Sequence, residues 1–203
     1  MKFIVFEGLD GSGKSTQVRM LAQKLEALGL PCISTRQPTD SPIGKVMRAA
    51  TDAELPLENE TMALLVAADR YQHCQRVIKP ALQANKYVVC DRYYYSSFAF
   101  QGIDDNAYTR VAAYNALAME QCIPDITFFL DASPEECMNR INEGISDGYG
   151  GLYDSVAQQT AVRGRYMKIF DQLKETNLVV FLDGSKGKIE IAADVLSYLK
   201  LEA

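Results

Sequence analysis

Residues 3–16 read Phe-Ile-Val-Phe-Glu-Gly-Leu-Asp-Gly-Ser-Gly-Lys-Ser-Thr. The apolar beginning is typical of a buried strand, and Gly8 to Ser15 fit the phosphate-binding pattern G-x-x-x-x-G-K-[ST] between a strand and a helix. The glycines let the backbone curl so that N–H groups point at phosphate oxygens, and the helix adds the positive end of its dipole. Lys14 would bind the β- and γ-phosphates, and the Ser15 hydroxyl would bind Mg²⁺. The pattern therefore predicts a site for a nucleoside triphosphate.

Beyond this motif, strand and helix patterns alternate along all 203 residues. Apolar runs predict strands at 3–7, 31–35, 87–90, 126–130 and 178–182. Helical periodicity predicts helices at about 15–28, 43–50, 60–85 and 105–122, from Pro134, at 154–174 and before Leu199. Short apolar strands are expected when helices cover both faces of a parallel sheet. We therefore expect an α/β P-loop NTPase fold with a five-stranded parallel sheet flanked by helices on both faces, as one domain over residues 1–203.

The composition limits the classes of partner. The formal net charge is −5 at neutral pH, so no global basic field attracts nucleic acid or an anionic membrane. No apolar run approaches the roughly 20 residues of a membrane span, and the chain begins with a strand pattern instead of a signal peptide. The five cysteines form no Cys-x-x-Cys pair and are typical of a reducing compartment. We therefore expect a cytoplasmic protein that binds neither nucleic acid nor membranes.

Charged side chains gather near the ends of the predicted strands, where ligands bind in such folds. They are Arg36, Arg48, Arg70, Asp91 and Arg92. Arginine binds phosphate through a planar array of donors, so this group suits a second phosphorylated substrate beside the triphosphate. An ATPase or GTPase without an acceptor would need no such site. The only histidine, His73, lies on a predicted helix among polar neighbours, and we expect no catalytic role for it.

Motifs between residue 2 and about residue 199 resemble those of the thymidylate kinases in order and spacing. They are Phe6 to Gln17, Thr35-Arg36-Gln37-Pro38 followed by Ile43-Gly44, Ala67-Ala68-Asp69-Arg70, Asp91 to Gly102, Pro124-Asp125 and Leu130-Asp131. The resemblance implies a P-loop fold of the nucleoside monophosphate kinase type. It also implies transfer of the γ-phosphoryl group of ATP to dTMP, with Mg²⁺ as cofactor, in a homodimer that packs through central helices.

The resemblance further implies a role for each matching position. The residues implied in catalysis are Asp10, Lys14, Arg36 and Arg92. Those implied in ATP binding are Gly8, Asp10, Gly11, Ser12, Gly13, Lys14, Ser15, Thr16, Arg140, Asp183 and Ser185, with Arg140 stacked on the adenine. Those implied in dTMP binding are Asp10, Arg36, Arg48, Val66, Arg70, Arg92, Ser97, Phe100 and Gln101, with Arg70 at the base. Ser15 would ligate Mg²⁺ with Asp91 near the metal, and the glycine-rich segment at about 141–155 would close over the phosphates as a lid.

Two positions depart from the family pattern. The catalytic arginine that the family carries in the phosphate-binding loop or in the lid has no counterpart, because position 11 is glycine and residues 141–155 contain no arginine or lysine. Candidate substitutes are Arg140, or Arg163 and Arg165 on the next helix. Val66 stands where the family usually has a phenylalanine that stacks on thymine. The candidate aromatic replacements are Tyr71, Tyr93, Tyr94 and Tyr95.

These departures keep two other functions open. One is a nucleoside monophosphate kinase with another base preference, such as dUMP, which the valine at position 66 suggests. The other is a weakly active nucleotide-binding module, which the missing arginine suggests. The presence of every phosphate-binding and metal-binding group favours an active kinase; these groups are Asp10, Lys14, Ser15, Asp91 and Arg92.

Overall fold

A parallel sheet organises the computed structural model, which describes residues 2–52, 54–144, 155–173 and 179–201. Its strands are β1 (Phe3–Gly8), β2 (Cys32–Arg36), β3 (Tyr87–Asp91), β4 (Ile126–Asp131) and β5 (Val179–Asp183). The helices of the described residues are α1 (Lys14–Ala27), α2 (Pro42–Thr51), α3 (Asn59–His73), α4 (Lys79–Gln83), α5 (Tyr94–Gln101), α6 (Asp105–Gln121), α7 (Pro134–Asn142), α8 (Val156–Leu173) and α9 (Lys188–Leu199). The predicted α/β fold with five parallel strands is confirmed.

Strand β1 lies at the centre of the sheet, whose order is β2-β3-β1-β4-β5 with every neighbouring pair parallel. Its side chains alternate between two apolar layers. Phe3 and Val5 belong to a cluster with α5, α6 and α8, and Ile4 and Phe6 belong to a cluster with α1 and α9. The carboxyl ends of β1, β3 and β4 consequently lie side by side, and the phosphate-binding loop begins at that edge.

Helix α5 occupies a segment that the sequence patterns leave as a loop after the third strand. Its first residues, Tyr94-Tyr95-Ser96-Ser97, have only moderate intrinsic helix propensity. Seven of its eight residues are buried, so the helix has no polar face whose periodicity would reveal it. Tertiary burial, more than local preference, therefore stabilises this helix.

The helix predicted over residues 60–85 is divided in two. Helix α3 ends at His73, and Cys74–Ile78 form a π turn before α4. Pro80 has no N–H to donate to the carbonyl oxygen four residues earlier, so regular α-helical hydrogen bonding is interrupted there. Asn85, with a φ of 57°, follows the end of α4. The bounds of the other predicted helices and strands agree with the structure to within about two residues.

The cysteines all fall within the described residues and carry free thiols, four of them buried. Across those same residues, no helix combines the length and the apolar character that crossing a bilayer requires. Most of the predicted lid, residues 145–154, lies outside the described residues.

Candidate active site

The phosphate-binding loop connects the end of β1 to the beginning of α1. Its three glycines have positive φ values, 149° at Gly8, 81° at Gly11 and 97° at Gly13, which residues with a side chain rarely adopt. A Cβ atom at Gly11 would lie 2.3 Å from the carbonyl oxygen of Cys137. Position 11 therefore has no room for a side chain in this structure, and the loop cannot carry an arginine there.

Lys14 and Ser12, like Asp10, are buried polar side chains inside the loop. The Nζ atom of Lys14 donates a hydrogen bond to the carbonyl oxygen of Leu9 at 2.6 Å. Burial, followed by the charge of Arg92, lowers the pKa of Lys14. The hydroxyl of Ser12 has no hydrogen-bond partner among the described residues. A phosphate group would give Ser12 an acceptor and Lys14 a negative partner, so the loop fits a phosphate.

Ser15 and Asp91 are the pair predicted to hold the metal, and the structure places them in contact. The Ser15 hydroxyl, at the beginning of α1, donates to Oδ2 of Asp91, at the end of β3, over 2.5 Å. Both side chains offer hard oxygen ligands, which Mg²⁺ prefers, and Mg²⁺ usually keeps several waters beside one or two protein ligands. The pair therefore fits Mg²⁺ bound together with phosphate.

Arg92 joins the phosphate-binding loop to the cleft beside it. It has a φ of 66° directly after β3, forms an ion pair with Asp10 at 2.6 Å and donates to the carbonyl oxygen of Gly8 at 2.9 Å. Its Cζ atom lies 4.9 Å from the centroid of the Phe100 ring. Burial by itself would lower the pKa of Arg92, but Asp10 and further acidic groups nearby outweigh that effect and raise the pKa. Arg92 is thus a permanent cation between the two sites.

Glu7, within β1, is a residue of the site that the sequence patterns do not identify. Its buried carboxylate accepts hydrogen bonds from the N–H groups of Tyr93 at 2.8 Å and Ser96 at 3.1 Å, at the beginning of α5. It also accepts from the hydroxyls of Ser96 at 2.7 Å and Tyr166 at 2.8 Å, and Arg92 donates to both of these oxygens. Glu7 therefore caps α5 and supports Arg92. An acidic residue inside an apolar strand is the signal that would have identified it.

The cleft beside Arg92 brings together most of the residues predicted to bind the acceptor. Its lining includes Asp10, Val66, Arg70, Arg92, Ser97, Phe100 and Gln101. Met47 from α2 and Met62 from α3 form an apolar wall with Val66. The sequence patterns do not single out these methionines, because apolar residues at helical spacing are usually ordinary core residues. The cleft thus combines an apolar wall with two buried arginines.

Arg70, on α3, is held by four hydrogen bonds. Its Nε atom donates to Oε1 of Gln37 at 2.8 Å. One terminal nitrogen donates to Oγ of Ser97 at 2.6 Å and to Oδ1 of Asn115, and the other donates to the carbonyl oxygen of Tyr93 at 3.0 Å. Burial lowers the pKa of Arg70. These contacts fix the plane of the guanidinium group in the wall of the cleft.

Arg36 and Arg48 are the predicted acceptor residues that do not line this cleft. Both form ion pairs with Asp40, Arg36 at 2.9 Å and Arg48 at 3.2 Å. Arg48 borders the cleft through the carbonyl oxygen of Pro38, to which it donates at 3.2 Å. Arg36 lines a second, larger cleft between α1 and α3 that also contains Ser15 and Asp91.

The aromatic replacement predicted for the missing phenylalanine is not found among the residues that line the cleft. Tyr93, directly before α5, and Tyr94 and Tyr95, at the beginning of α5, belong to the core cluster against the sheet. Tyr71 is partly exposed on α3. The aromatic ring of the cleft is Phe100.

Arg140, on α7, links the phosphate-binding loop to the loop after β5. It donates to the carbonyl oxygens of Ser12 at 3.4 Å and Gly184 at 2.9 Å. In the second loop, Asp183 accepts hydrogen bonds from the N–H group and the hydroxyl of Ser185 at 3.0 and 2.6 Å. The structure therefore brings together the groups predicted to surround the adenine.

The other two candidates for the missing arginine have partners elsewhere. Arg163 forms a bidentate ion pair with Asp131, with distances of 2.7 and 2.9 Å. Arg165 donates to the carbonyl oxygen of Ala99 at 2.5 Å. Arg140, by contrast, contacts the phosphate-binding loop directly.

The sequence of this chain is similar to those of known proteins. A sequence model of a family described as thymidylate kinase matches residues 6–195. The chain is similar to a probable thymidylate kinase of Thermococcus kodakarensis, 38% identical over 186 residues that cover 87% of this chain and 88% of that protein. A probable thymidylate kinase of Pyrococcus horikoshii is 36% identical over 209 residues, covering 98% and 96%. A thymidylate kinase of Halothermothrix orenii is 34% identical over 200 residues, again covering 98% and 96%.

Proposed function

The chain belongs to the thymidylate kinase family, and we propose that its reaction takes place between the phosphate-binding loop and the cleft that holds Arg70 and Arg92. It transfers the γ-phosphoryl group of ATP to dTMP, producing dTDP and ADP, a step in nucleotide biosynthesis. The family match favours neither another base preference nor a weakly active binding module. The Asp10–Arg92 ion pair carries the assignment of the site, because it joins the triphosphate loop to the acceptor cleft.

ATP would bind with its phosphates in the loop. The backbone N–H groups, the Lys14 ammonium group and the Ser12 hydroxyl would contact the phosphate oxygens. Lys14 would exchange its hydrogen bond to Leu9 for the β- and γ-phosphates. The adenine would lie beside Arg140 and residues 183–185.

Mg²⁺ would be held by Ser15 and, through water, by Asp91. When bound, it would neutralise charge on the phosphate oxygens during transfer. The hydrogen bond between Ser15 and Asp91 already orients both oxygen ligands toward each other.

The phosphate of dTMP would bind at Arg92, which Asp10 orients through the ion pair. Arg36 and Arg48 would join it by exchanging their contacts with Asp40 for the phosphate. For Arg36 the cost of this exchange is small, because its pair with Asp40 is largely exposed to solvent and such pairs contribute little to stability. Catalysis would then consist of positioning and charge neutralisation.

The base of dTMP would face Arg70, and its sugar would pack against Phe100. Ser97 and Gln101 would donate or accept hydrogen bonds at the base or the sugar. The wall formed by Met47, Met62 and Val66 suits the 5-methyl group of thymine, because burying a methyl group against apolar side chains is favourable.

Arg140, which would lie beside the adenine, would also hold the phosphate-binding loop in place. It already contacts a carbonyl oxygen of the phosphate-binding loop, and Gly11 leaves no place for an arginine in the loop itself. The segment at about 141–155 would close over the phosphates and exclude water.

We also propose a homodimer that packs through α3 and α6. These helices pack against each other and expose large apolar side chains, with Leu64 49% exposed, Tyr71 39% exposed and Leu117 55% exposed. Exposed apolar patches on a protein surface commonly mark interfaces.

A cytoplasmic location of the protein stays a prediction.

A coupled ADP-release assay with ATP and Mg²⁺ tests this function against dTMP, dUMP, dCMP, dGMP, UMP and AMP. We expect dTMP to have the highest kcat/KM, about tenfold or more above dUMP, since one methyl group in an apolar pocket contributes this much discrimination. Removing Mg²⁺ with EDTA should abolish the activity. A folded protein that binds ATP but releases no ADP with any acceptor would contradict the proposal.

A further inference from the structure

A chain of hydrogen bonds ties β2 and its following loop to α3, and none of the roles above uses it. It begins at His73, the only histidine of the sequence, which is buried. The Nε2 atom of His73 lies 2.7 Å from Oγ1 of Thr35, and its Nδ1 atom lies 3.0 Å from Nε2 of Gln37. Oε1 of Gln37 accepts a hydrogen bond from Nε of Arg70 at 2.8 Å. The chain therefore connects β2 to the arginine of the acceptor cleft.

The chemistry of these groups fixes the direction of each hydrogen bond. The Nε–H of Arg70 can only donate, so Gln37 presents its carbonyl oxygen to Arg70 and its amide NH₂ group to His73. Nδ1 of His73 must then accept, which places the ring proton on Nε2, facing Thr35. Burial lowers the pKa of His73 to about 4, so the ring is neutral near pH 7. The side-chain amide of Gln37 consequently has one favoured orientation.

Gln37 is anchored to the sheet as well. Its N–H group donates to the carbonyl oxygen of Asp91 at 2.9 Å, so the pairing of β2 with β3 continues to this residue. The other contacts of Arg70, to Tyr93, Ser97 and Asn115, involve its terminal nitrogens. Gln37 holds Nε, and this contact, together with those at the terminal nitrogens, sets the rotation of the guanidinium group about its Cδ–Nε bond.

We propose that His73 and Gln37 are positioning residues that orient Arg70 toward the base of the acceptor and thereby contribute to substrate specificity. The inference rests on the proposed function, in which Arg70 faces the base of dTMP. A carboxylate at position 37 would also pair with Arg70 but would offer His73 no donor. In this chain the neutral side chains of Gln37 and His73 hydrogen-bond to each other instead, and the geometry of this contact depends on the tautomer of His73.

The tautomer of His73 is directly measurable, because the sequence has no second histidine. A long-range ¹H–¹⁵N NMR spectrum of the labelled wild-type protein at about pH 7 reports which ring nitrogen carries the proton. We expect the neutral Nε2–H form, with no titration between about pH 7 and pH 5.5. A proton on Nδ1, or a charged ring at pH 7, would overturn the proposal.

Three variants separate positioning from a general loss of stability. H73N keeps an acceptor oxygen where Nδ1 faces Gln37, H73L removes that acceptor, and Q37M removes the acceptor for Arg70. We expect the KM for dTMP to rise about tenfold in H73L and Q37M, and to stay within about threefold of wild type in H73N. The KM for ATP should change less than about twofold in all three, a selectivity that destabilisation alone would not produce.

Each outcome of the kinetic comparison decides one question. Equal dTMP KM values in H73L and H73N, or parallel increases for dTMP and ATP, would refute positioning by His73 and leave the kinase assignment intact. A wild-type protein without acceptor-dependent ADP release would instead refute the proposed function. If H73L does not fold, H73N is compared with Q37M instead. Equal KM values for dTMP in these two variants would refute the proposal.

Discussion

Lys14 is a cation that folding buries within its own loop, where its Nζ atom donates to the carbonyl oxygen of Leu9. Replacing it with alanine removes the positive charge beside the phosphates. We expect K14A to lower kcat/KM by at least about 100-fold, because losing one group that stabilises transition-state charge typically costs this much. Coupled ADP release measures the rate, and a circular dichroism melt checks the fold. K168A, which removes an exposed lysine on α8, is the control. Near wild-type turnover in K14A would exclude the loop as the phosphate site.

His73 makes the stability of the protein depend on pH. Burial lowers its pKa in the folded state to about 4, whereas an unfolded chain has a histidine pKa near 6.5. The unfolded state therefore binds a proton more strongly between these values, and stability falls as the pH drops below about 6.5. We expect His73 to cost about 2 kcal/mol of unfolding free energy between pH 7 and pH 5. Urea denaturation at both pH values measures this loss, which H73N should lack; the same loss in both proteins would contradict the assignment.

Single residues also mark the limit of what the sequence predicts. The departure at Val66 is visible in the sequence, but the residues that complete the wall around it are not. Met47 and Met62 come from two different helices and look like ordinary core residues until the helices pack. Of the predicted tyrosines, Tyr93, Tyr94 and Tyr95 are in the core and Tyr71 is partly exposed, because the direction of a side chain depends on how its element packs.

At the scale of elements, α5 is the clearest difference between pattern and structure. Its sequence shows no helical periodicity. The buried carboxylate of Glu7, in β1, accepts hydrogen bonds from the N–H groups of Tyr93 and Ser96 at the beginning of this helix. A carboxylate at a helix N-terminus stabilises the helix through hydrogen bonds and the dipole. Glu7 and Ser96 are 89 residues apart in the chain, so no local pattern links them.

The capping of α5 by Glu7 is testable with E7Q. Glutamine keeps the size of the side chain but removes the charge and one acceptor, so we expect a loss of about 2 kcal/mol in unfolding free energy. Displacement of α5 and Arg92 should also raise the KM for dTMP more than the KM for ATP. E190Q is the matched control, because Glu190 accepts from Gly187 at the exposed N-terminus of α9. Equal losses of stability in E7Q and E190Q would show that burying the Glu7 carboxylate does not strengthen its stabilisation of α5.

At the scale of the whole molecule, the apolar surface of α3 and α6 predicts self-association. A glutamate at Leu64 would place a charge at the centre of the proposed interface, where its desolvation is costly. We expect wild type to sediment as a dimer at micromolar concentration and L64E to sediment as a monomer. I189E, which changes an exposed apolar residue on α9, should remain dimeric. A monomeric wild type, or equal masses for wild type and L64E, would contradict the proposed dimer.

The sequence by itself determined the strand, loop and helix of the phosphate site, the existence of five strands and the choice of a parallel sheet. These features follow from local apolar periodicity and from glycines, which mark backbone turns that other residues rarely adopt. The tertiary structure alone decided the strand order, the existence of α5, the wall of methionines and the link from His73 to Arg70. Each of these depends on contacts between residues far apart in the chain, whose free energy arises only when packing excludes water and brings their polar groups within hydrogen-bonding distance.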